Sequence, residues 1–168
     1  MKKRYGILTV ILYICLLSCN ENEKVETVKT GMEDKPLPVF TLLKPDSTMF
    51  SSANFPKDKK LALFVYSPTC QYCRTQMRET INNISSLKND QICVIINGDY
   101  QSLKGFSSYF KLEDHASIII GIDTGNVIRN SFHVNYVPFT AVFNKDQRLR
   151  TAYVGRIGSK TLVNIISN

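Results

Sequence analysis

The sequence predicts an α/β fold in which a central β-sheet carries helices on both faces. Three observations predict it. Leu61-Ala62-Leu63-Phe64-Val65-Tyr66 and Gln91-Ile92-Cys93-Val94-Ile95-Ile96 are continuous apolar runs of strand length, of the kind buried on both faces of a sheet. Between them, from Cys73 onward, apolar positions recur every three or four residues, which is the period of a helix. Further along, strand-like and helix-like segments alternate towards the C-terminus. At 168 residues, with 43% hydrophobic and 21% charged, the chain holds one domain's worth of core. Disorder, a collagen-like fibre and a polytopic membrane protein are excluded.

Residues 1–18 read as a signal peptide. Lys2-Lys3-Arg4 precedes an uncharged apolar run, Ile7 to Leu17, which at about 1.5 Å per helical residue falls well short of the roughly 30 Å hydrocarbon core. A short N-terminal anchor helix is the other reading. Leu16-Leu17-Ser18-Cys19 resembles the lipobox of bacterial lipoproteins, which implies that Cys19 becomes the lipid-bearing N-terminus. More than one acyl chain anchors stably where a single chain is marginal. Residues 19–36, rich in Asn, Glu, Lys and Thr with Val25, Val28 and Met32 the apolar exceptions, read as a flexible tether, and 37–168 as the folded domain. The expected location is the cell envelope, lipid-anchored to a membrane.

The formal net charge is +7, but losing Lys2, Lys3 and Arg4 reduces 21 basic residues to 18 against 14 acidic. The remaining Lys and Arg are scattered, with no run longer than Lys59-Lys60, so no basic stripe suits a phosphate backbone. Nucleic acid is not an expected partner.

Cys15 leaves with the signal and Cys19 takes lipid, so Cys70, Cys73 and Cys93 remain. Cys93, inside an apolar β-branched run, reads as a small buried hydrophobe. Cys70 and Cys73 form C-x-x-C where the strand 61–66 gives way, through Ser67-Pro68-Thr69, to a helix. On that helix Cys73, Met77, Ile81, Ile84 and Lys88 form the core-facing stripe, and Cys70 stands exposed at the first turn. Unsatisfied amides, the helix dipole and nearby Arg74 would favour a thiolate at Cys70, lowering its pKa. A thiolate attacks a disulfide, and a second thiol one turn away resolves the mixed disulfide. Half of a zinc site is the bland alternative. Zinc needs four ligands, and the chain offers no second C-x-x-C and only His115 and His133, not in paired spacing. No metal and no cofactor are called for.

With these residues the chain resembles the thioredoxin superfamily, in particular the exported, membrane-tethered TlpA and ResA type, from about Leu37 to Asn168. The resemblance implies a thioredoxin-like fold with a central mixed sheet. Pro38 to Leu43 and Ser47 to Phe50 resemble the N-terminal hairpin of those proteins, and Val134 to Phe143 resembles the segment in which a cis-proline precedes a strand and faces the C-x-x-C. Pro138 follows Cys73 by 65 positions, room for a further unit: a helix near 101–112, a strand over 117–122 and a helix over 126–132. Asn144-Lys145-Asp146-Gln147 reads as a hairpin turn, 148–154 as the last strand, Gly155 as a hinge and 159–166 as the final helix.

The resemblance implies a cis Val137-Pro138 bond; on the residues alone, a trans proline opening an edge strand fits as well. If cis, the backbone carbonyl and amide of Val137 are left to pair with an extended substrate beside Cys70. Expected site residues are therefore Cys70 and Cys73 for the chemistry and Tyr72, Val137 and Pro138 for substrate. Expected partners are exported protein thiols and disulfides and a membrane electron donor. Departures from the family pattern bear on direction. Thr69 stands where thioredoxins have Trp, Gln71-Tyr72 replaces Gly-Pro, and Gln76 stands where reductase-type relatives often have a proton-accepting Glu. Glu79 is the next carboxylate along the helix, and Asp99 ends the following strand. Two rival functions remain. A thiol peroxidase would use the hydroxyl of Ser67 three residues before Cys70, although Leu63 replaces the peroxiredoxin proline. A copper-binding module would use both thiols and His133.

Overall fold

The computed structural model describes residues 25–87 and 89–167. The signal peptide, Cys19 and Lys88 lie outside them. Seven strands form one mixed sheet: β1 (Thr41–Leu43), β2 (Met49–Ser51), β3 (Leu61–Tyr66), β4 (Gln91–Ile96), β5 (Ile118–Asp123), β6 (Phe139–Phe143) and β7 (Leu149–Val154). Their order across the sheet is β2-β1-β5-β4-β3-β6-β7. Four helices accompany them: α1 (Gln71–Asn82), α2 (Tyr100–Phe110), α3 (Val127–Ser131) and α4 (Ser159–Ser167). This is the mixed α/β architecture that the sequence predicts, with the inserted helix–strand–helix as α2, β5 and α3.

Both apolar runs lie at the centre of the sheet, and every residue of β3 and β4 is buried. They run parallel, with Leu63 beside Cys93 and Val65 beside Ile95. Period-two alternation then divides the core. Ala62, Phe64, Tyr66, Ile92, Val94 and Ile96 pack with residues of α1, α2 and α4, whereas Leu61, Leu63, Val65, Cys93 and Ile95 pack beneath Ile128, Phe132 and Phe40. Buried apolar side chains on both faces are why these strands carry no polar alternation.

The N-terminal hairpin forms as expected, with Leu42 opposite Phe50. It joins the main sheet because β1 also pairs antiparallel with β5, Leu43 lying opposite Ile122. Gly121 makes that approach close: a Cβ there would sit 2.8 Å from both the Leu42 Cβ and the Leu43 carbonyl oxygen.

Two expectations need correcting. The helix after the cysteines ends at Asn82, where the Asn83 side chain donates to the Glu79 carbonyl at 2.8 Å, and a 3-10 turn follows over Ile84–Leu87. Its buried stripe is Cys73, Gln76, Met77 and Thr80, while Ile81 is only half-buried. Residues 25–36 also depart from a free tether. Val28 N–H donates to the Ala152 carbonyl at 2.9 Å, and Asp34 N–H to that of Leu149 at 2.9 Å. The physical reason is that β7 is an edge strand, whose unpaired backbone groups bind any chain laid alongside.

Candidate active site

Cys70 lies between β3 and α1 as the N-cap of the helix, in extended conformation (φ −76°, ψ 114°), half-buried rather than fully exposed. Its Sγ accepts the Cys73 backbone N–H at 3.2 Å, a contact that satisfies one of the orphan amides of the first turn. The Val137-Pro138 peptide bond is cis, and the Val137 carbonyl oxygen stands 3.9 Å from Cys70 Sγ. The Pro138 carbonyl is taken by Gly155 N–H at 2.8 Å, which fixes the loop to the end of β7. The fold thus brings Val137, 67 positions further along the chain from Cys70, to the neighbouring Cys70 and Cys73.

Cys73 is fully buried one turn below. Burial is the main reason its thiol is pushed up out of the ordinary range, and the neighbouring Cys70 sulfur adds to it. Arg74 does not turn to the thiols: its guanidinium lies 4.3 Å from the centre of the Tyr109 ring on α2. Tyr72 is exposed beside the cysteines, and so is Tyr136, next to Val137.

Gln76 is buried, and both ends of its carboxamide are occupied. Nε2 donates to the Thr140 hydroxyl at 3.2 Å and Oε1 accepts Ile157 N–H at 2.9 Å. Glu79 forms an ion pair of 2.7 Å with Arg156. The exposed carboxylate of Asp99 caps α2 by accepting Ser102 N–H at 2.7 Å. Cys93 is buried in the opposite layer of the core, away from Cys70 and Cys73, as its apolar setting predicts. The Ser67 hydroxyl pairs with that of Thr69 at 3.1 Å. Among the described residues no three Cys, His, Asp or Glu side chains gather at metal-binding distance, and His133 is exposed.

Two residues beside the site escape a reading of motifs. Tyr136 directly precedes Val137, and an aromatic next to that residue was a usable signal. Tyr66, four residues before Cys70, reads from sequence only as the end of a buried strand. Its hydroxyl is the polar atom that such a strand ordinarily avoids.

The sequence matches the Redoxin family model over residues 32–165. No curated protein matches it. Several solved structures are similar in fold. A secreted disulfide oxidoreductase of Mycobacterium tuberculosis, described as homologous to Escherichia coli DsbE, superposes with a TM-score of 0.64 at 16% identity, over 76% of this chain and 94% of that one. The thioredoxin domain of a thiol-disulfide oxidoreductase from Bacteroides vulgatus gives 0.65 at 14% identity, over 84% and 97%. An exposed lipoprotein thioredoxin of Streptococcus pneumoniae gives 0.61 at 16% identity, over 77% and 98%. A C-x-x-C at a strand-to-helix junction beside a cis-proline, on this sheet and over this matched span, makes the chain a member of the Redoxin family within the thioredoxin superfamily.

Proposed function

We propose that this chain is a thiol–disulfide oxidoreductase acting on proteins outside the cytoplasmic membrane. The observation that carries the reading is the geometry at Cys70: a half-buried sulfur on a helix N-terminus, one turn from a buried thiol and 3.9 Å from the Val137 carbonyl oxygen. In the reducing direction the Cys70 thiolate attacks one sulfur of a client disulfide, joins it in a mixed disulfide and releases the other client sulfur as a thiolate. Cys73, having given up its proton, then attacks Cys70 Sγ. The Cys70–Cys73 bond forms, the bond to the client breaks, and the client leaves fully reduced while the protein carries the disulfide. The same steps reversed oxidise client thiols, and the potential of the pair relative to its partners sets the direction.

The Val137 backbone, Pro138 and exposed Tyr72 hold the client as an extended segment beside Cys70. A lipid on Cys19 tethers the domain in the cell envelope, and a membrane donor returns its electrons. Two similar structures belong to proteins described as secreted or as an exposed lipoprotein, which supports that location. No helix among the described residues is long and apolar enough to cross a membrane.

Trapping tests the assignment. Cys73→Ser should accumulate mixed disulfides through Cys70, and Cys70→Ser should accumulate none. Equal trapping by both variants would overturn the roles, and a mature chain without lipid on Cys19 would overturn the anchor.

A further inference from the structure

Arg74 and Arg78 sit four residues apart on α1, so their like charges lie side by side across one turn. Arg74 also stands near the N-terminal end of the helix, where the positive end of the dipole disfavours a cation. Nothing on the helix offsets either cost: the other positions three or four residues from these arginines are Cys70, Gln71, Thr75, Met77, Ile81 and Asn82, none of them a carboxylate. Glu79, the one acid of α1, is paired with Arg156, and among the described residues no acid forms an ion pair with Arg74 or Arg78. Both guanidiniums instead converge on one exposed ring of α2. That of Arg74 lies 4.3 Å from the centre of the Tyr109 ring, and Arg78 Nη2 donates to the Tyr109 hydroxyl at 3.5 Å. The phenol is held below its ordinary pKa, first by Arg78 and then by Arg74, as a positive local field requires. Tyr109 is 58% exposed, and Gly105, one turn before it, has nothing within 4 Å of where a Cβ would stand. The fold itself does not require a glycine there, and the bare backbone leaves that part of α2 open to the close approach of a second chain.

We propose that Arg74, Arg78 and Tyr109 form a docking shelf for a client segment that carries carboxylates close to its reactive cysteine. The inference rests on the reading of Cys70 as the thiol that attacks a client disulfide. Two guanidiniums that no carboxylate neutralises are complementary to an acidic partner, and arginine and tyrosine are the residue types that interfaces favour. Reach then fixes the spacing. Arg74 N–H donates to the Cys70 carbonyl at 3.1 Å, so Arg74 lies one turn along α1 and Arg78 two turns, about 6 and 12 Å from Cys70 at about 1.5 Å per residue. An extended segment advancing about 3.3 Å per residue covers those distances in about two and four residues. A client with its sulfur at Cys70 therefore meets the two arginines with Asp or Glu at the second and fourth positions from its cysteine. A neutral client still reacts through Cys70 beside Val137 but lacks this anchorage, so the shelf sets client preference and leaves the chemistry to the cysteines.

The test compares two peptides of equal length, each carrying its cysteine as a 2-thiopyridyl disulfide, with Glu in one and Gln in the other at the second and fourth positions on both sides of that cysteine. Attack by Cys70 on the peptide sulfur joins the two in a mixed disulfide and releases thiopyridone, whose appearance gives the rate. The reduced protein should react about tenfold faster with the Glu peptide at low ionic strength, and the ratio should fall towards one as salt screens the charges. In Arg74→Gln/Arg78→Gln the ratio should drop to within about twofold of one. The ratio is taken within each protein, so a partial loss of folded chain cancels. Lys59→Gln/Lys145→Gln removes the same charge at the opposite end of the sheet, before β3 and after β6, and should keep the parent's ratio. No preference in the parent chain, or one retained by the arginine variant, would overturn the proposal. So would a preference lost equally from both double variants, which marks net charge alone. Failure of the underlying reading looks different: Cys70→Ser would then release thiopyridone from both peptides at the parent rate.

Discussion

Gln76 donates to Thr140 at 3.2 Å and so ties the active-site helix to β6, a fully buried cross-link that also receives the Ile157 amide. Replacing the carboxamide by a carboxyl keeps the shape and changes the electrostatics. Gln76→Glu loses a donor to Thr140 and places an ionisable group where water is excluded, so its pKa should rise. A carboxyl raised by folding favours the folded state below its unfolded pKa of about 4.3, and that benefit is lost as pH climbs through the raised value. The expected outcome is a variant destabilised by about 1–3 kcal/mol at neutral pH, with the deficit shrinking in acid. Urea unfolding across that range checks it, and a deficit independent of pH would refute the electrostatic cause.

Gly121 gives a packing prediction. A methyl group there meets Leu42 Cβ and the Leu43 carbonyl oxygen at 2.8 Å, inside van der Waals contact, so β1 must move. Gly121→Ala should cost about 1–3 kcal/mol. Amide exchange should quicken in β1 and β2 before it does in β3 and β4, because the hairpin reaches the sheet through β5. Uniform loss of protection would show that the hairpin and the central strands open together.

Much of this was legible in the sequence, for physical reasons that differ by element. β3 and β4 announced themselves because strands buried on both faces need unbroken apolar runs, and C-x-x-C at their junction with a helix marked the chemistry. The stripe of α1 was misjudged because Gln76 and Thr80 are buried polar residues satisfied by distant partners or by the helix itself: Thr140 and Ile157 for the first, the Gln76 carbonyl for the second. No local pattern reports such pairing. Residues 25–36 look like a tether because few of them are apolar, and what holds them is backbone pairing with β7 together with the packing of Val25, Val28 and Met32 against the core, neither of which composition encodes.

That pairing can be tested by removing it. Val28 and Asp34 donate to β7, Leu149 donates back to the Lys35 carbonyl at 3.0 Å, and Arg148 Nη1 reaches the Asp34 carbonyl at 2.6 Å. A chain beginning at residue 37 should lose about 1–2 kcal/mol relative to one beginning at residue 25, taking roughly 1 kcal/mol for each net hydrogen bond less the entropy of ordering the segment. Its bare β7 edge should also associate with other copies as concentration rises. Denaturation and analytical ultracentrifugation of the two lengths decide this, and identical stability with no association would mean that the strap leaves the edge readily.

Asp90 gives the last test, because burial and charge act on it in opposite directions. It is buried at the turn before β4, and desolvation pushes its carboxyl up against the lowering pull of Lys60, Lys145 and Lys59. Folding therefore binds this proton more tightly than the unfolded chain does. The contribution of Asp90 to stability is fully present below the ordinary Asp value of about 3.9 and declines as pH rises through the raised one. Asp90→Asn removes the ionisation while keeping the shape. At neutral pH the variant should be at least as stable as the parent chain, and its advantage should disappear as the pH falls below the unfolded value. Unfolding curves recorded from acid to neutral pH supply the comparison. An Asn variant weaker than the parent at neutral pH would mean that the three lysines outweigh burial, reversing the sign argued for this carboxyl.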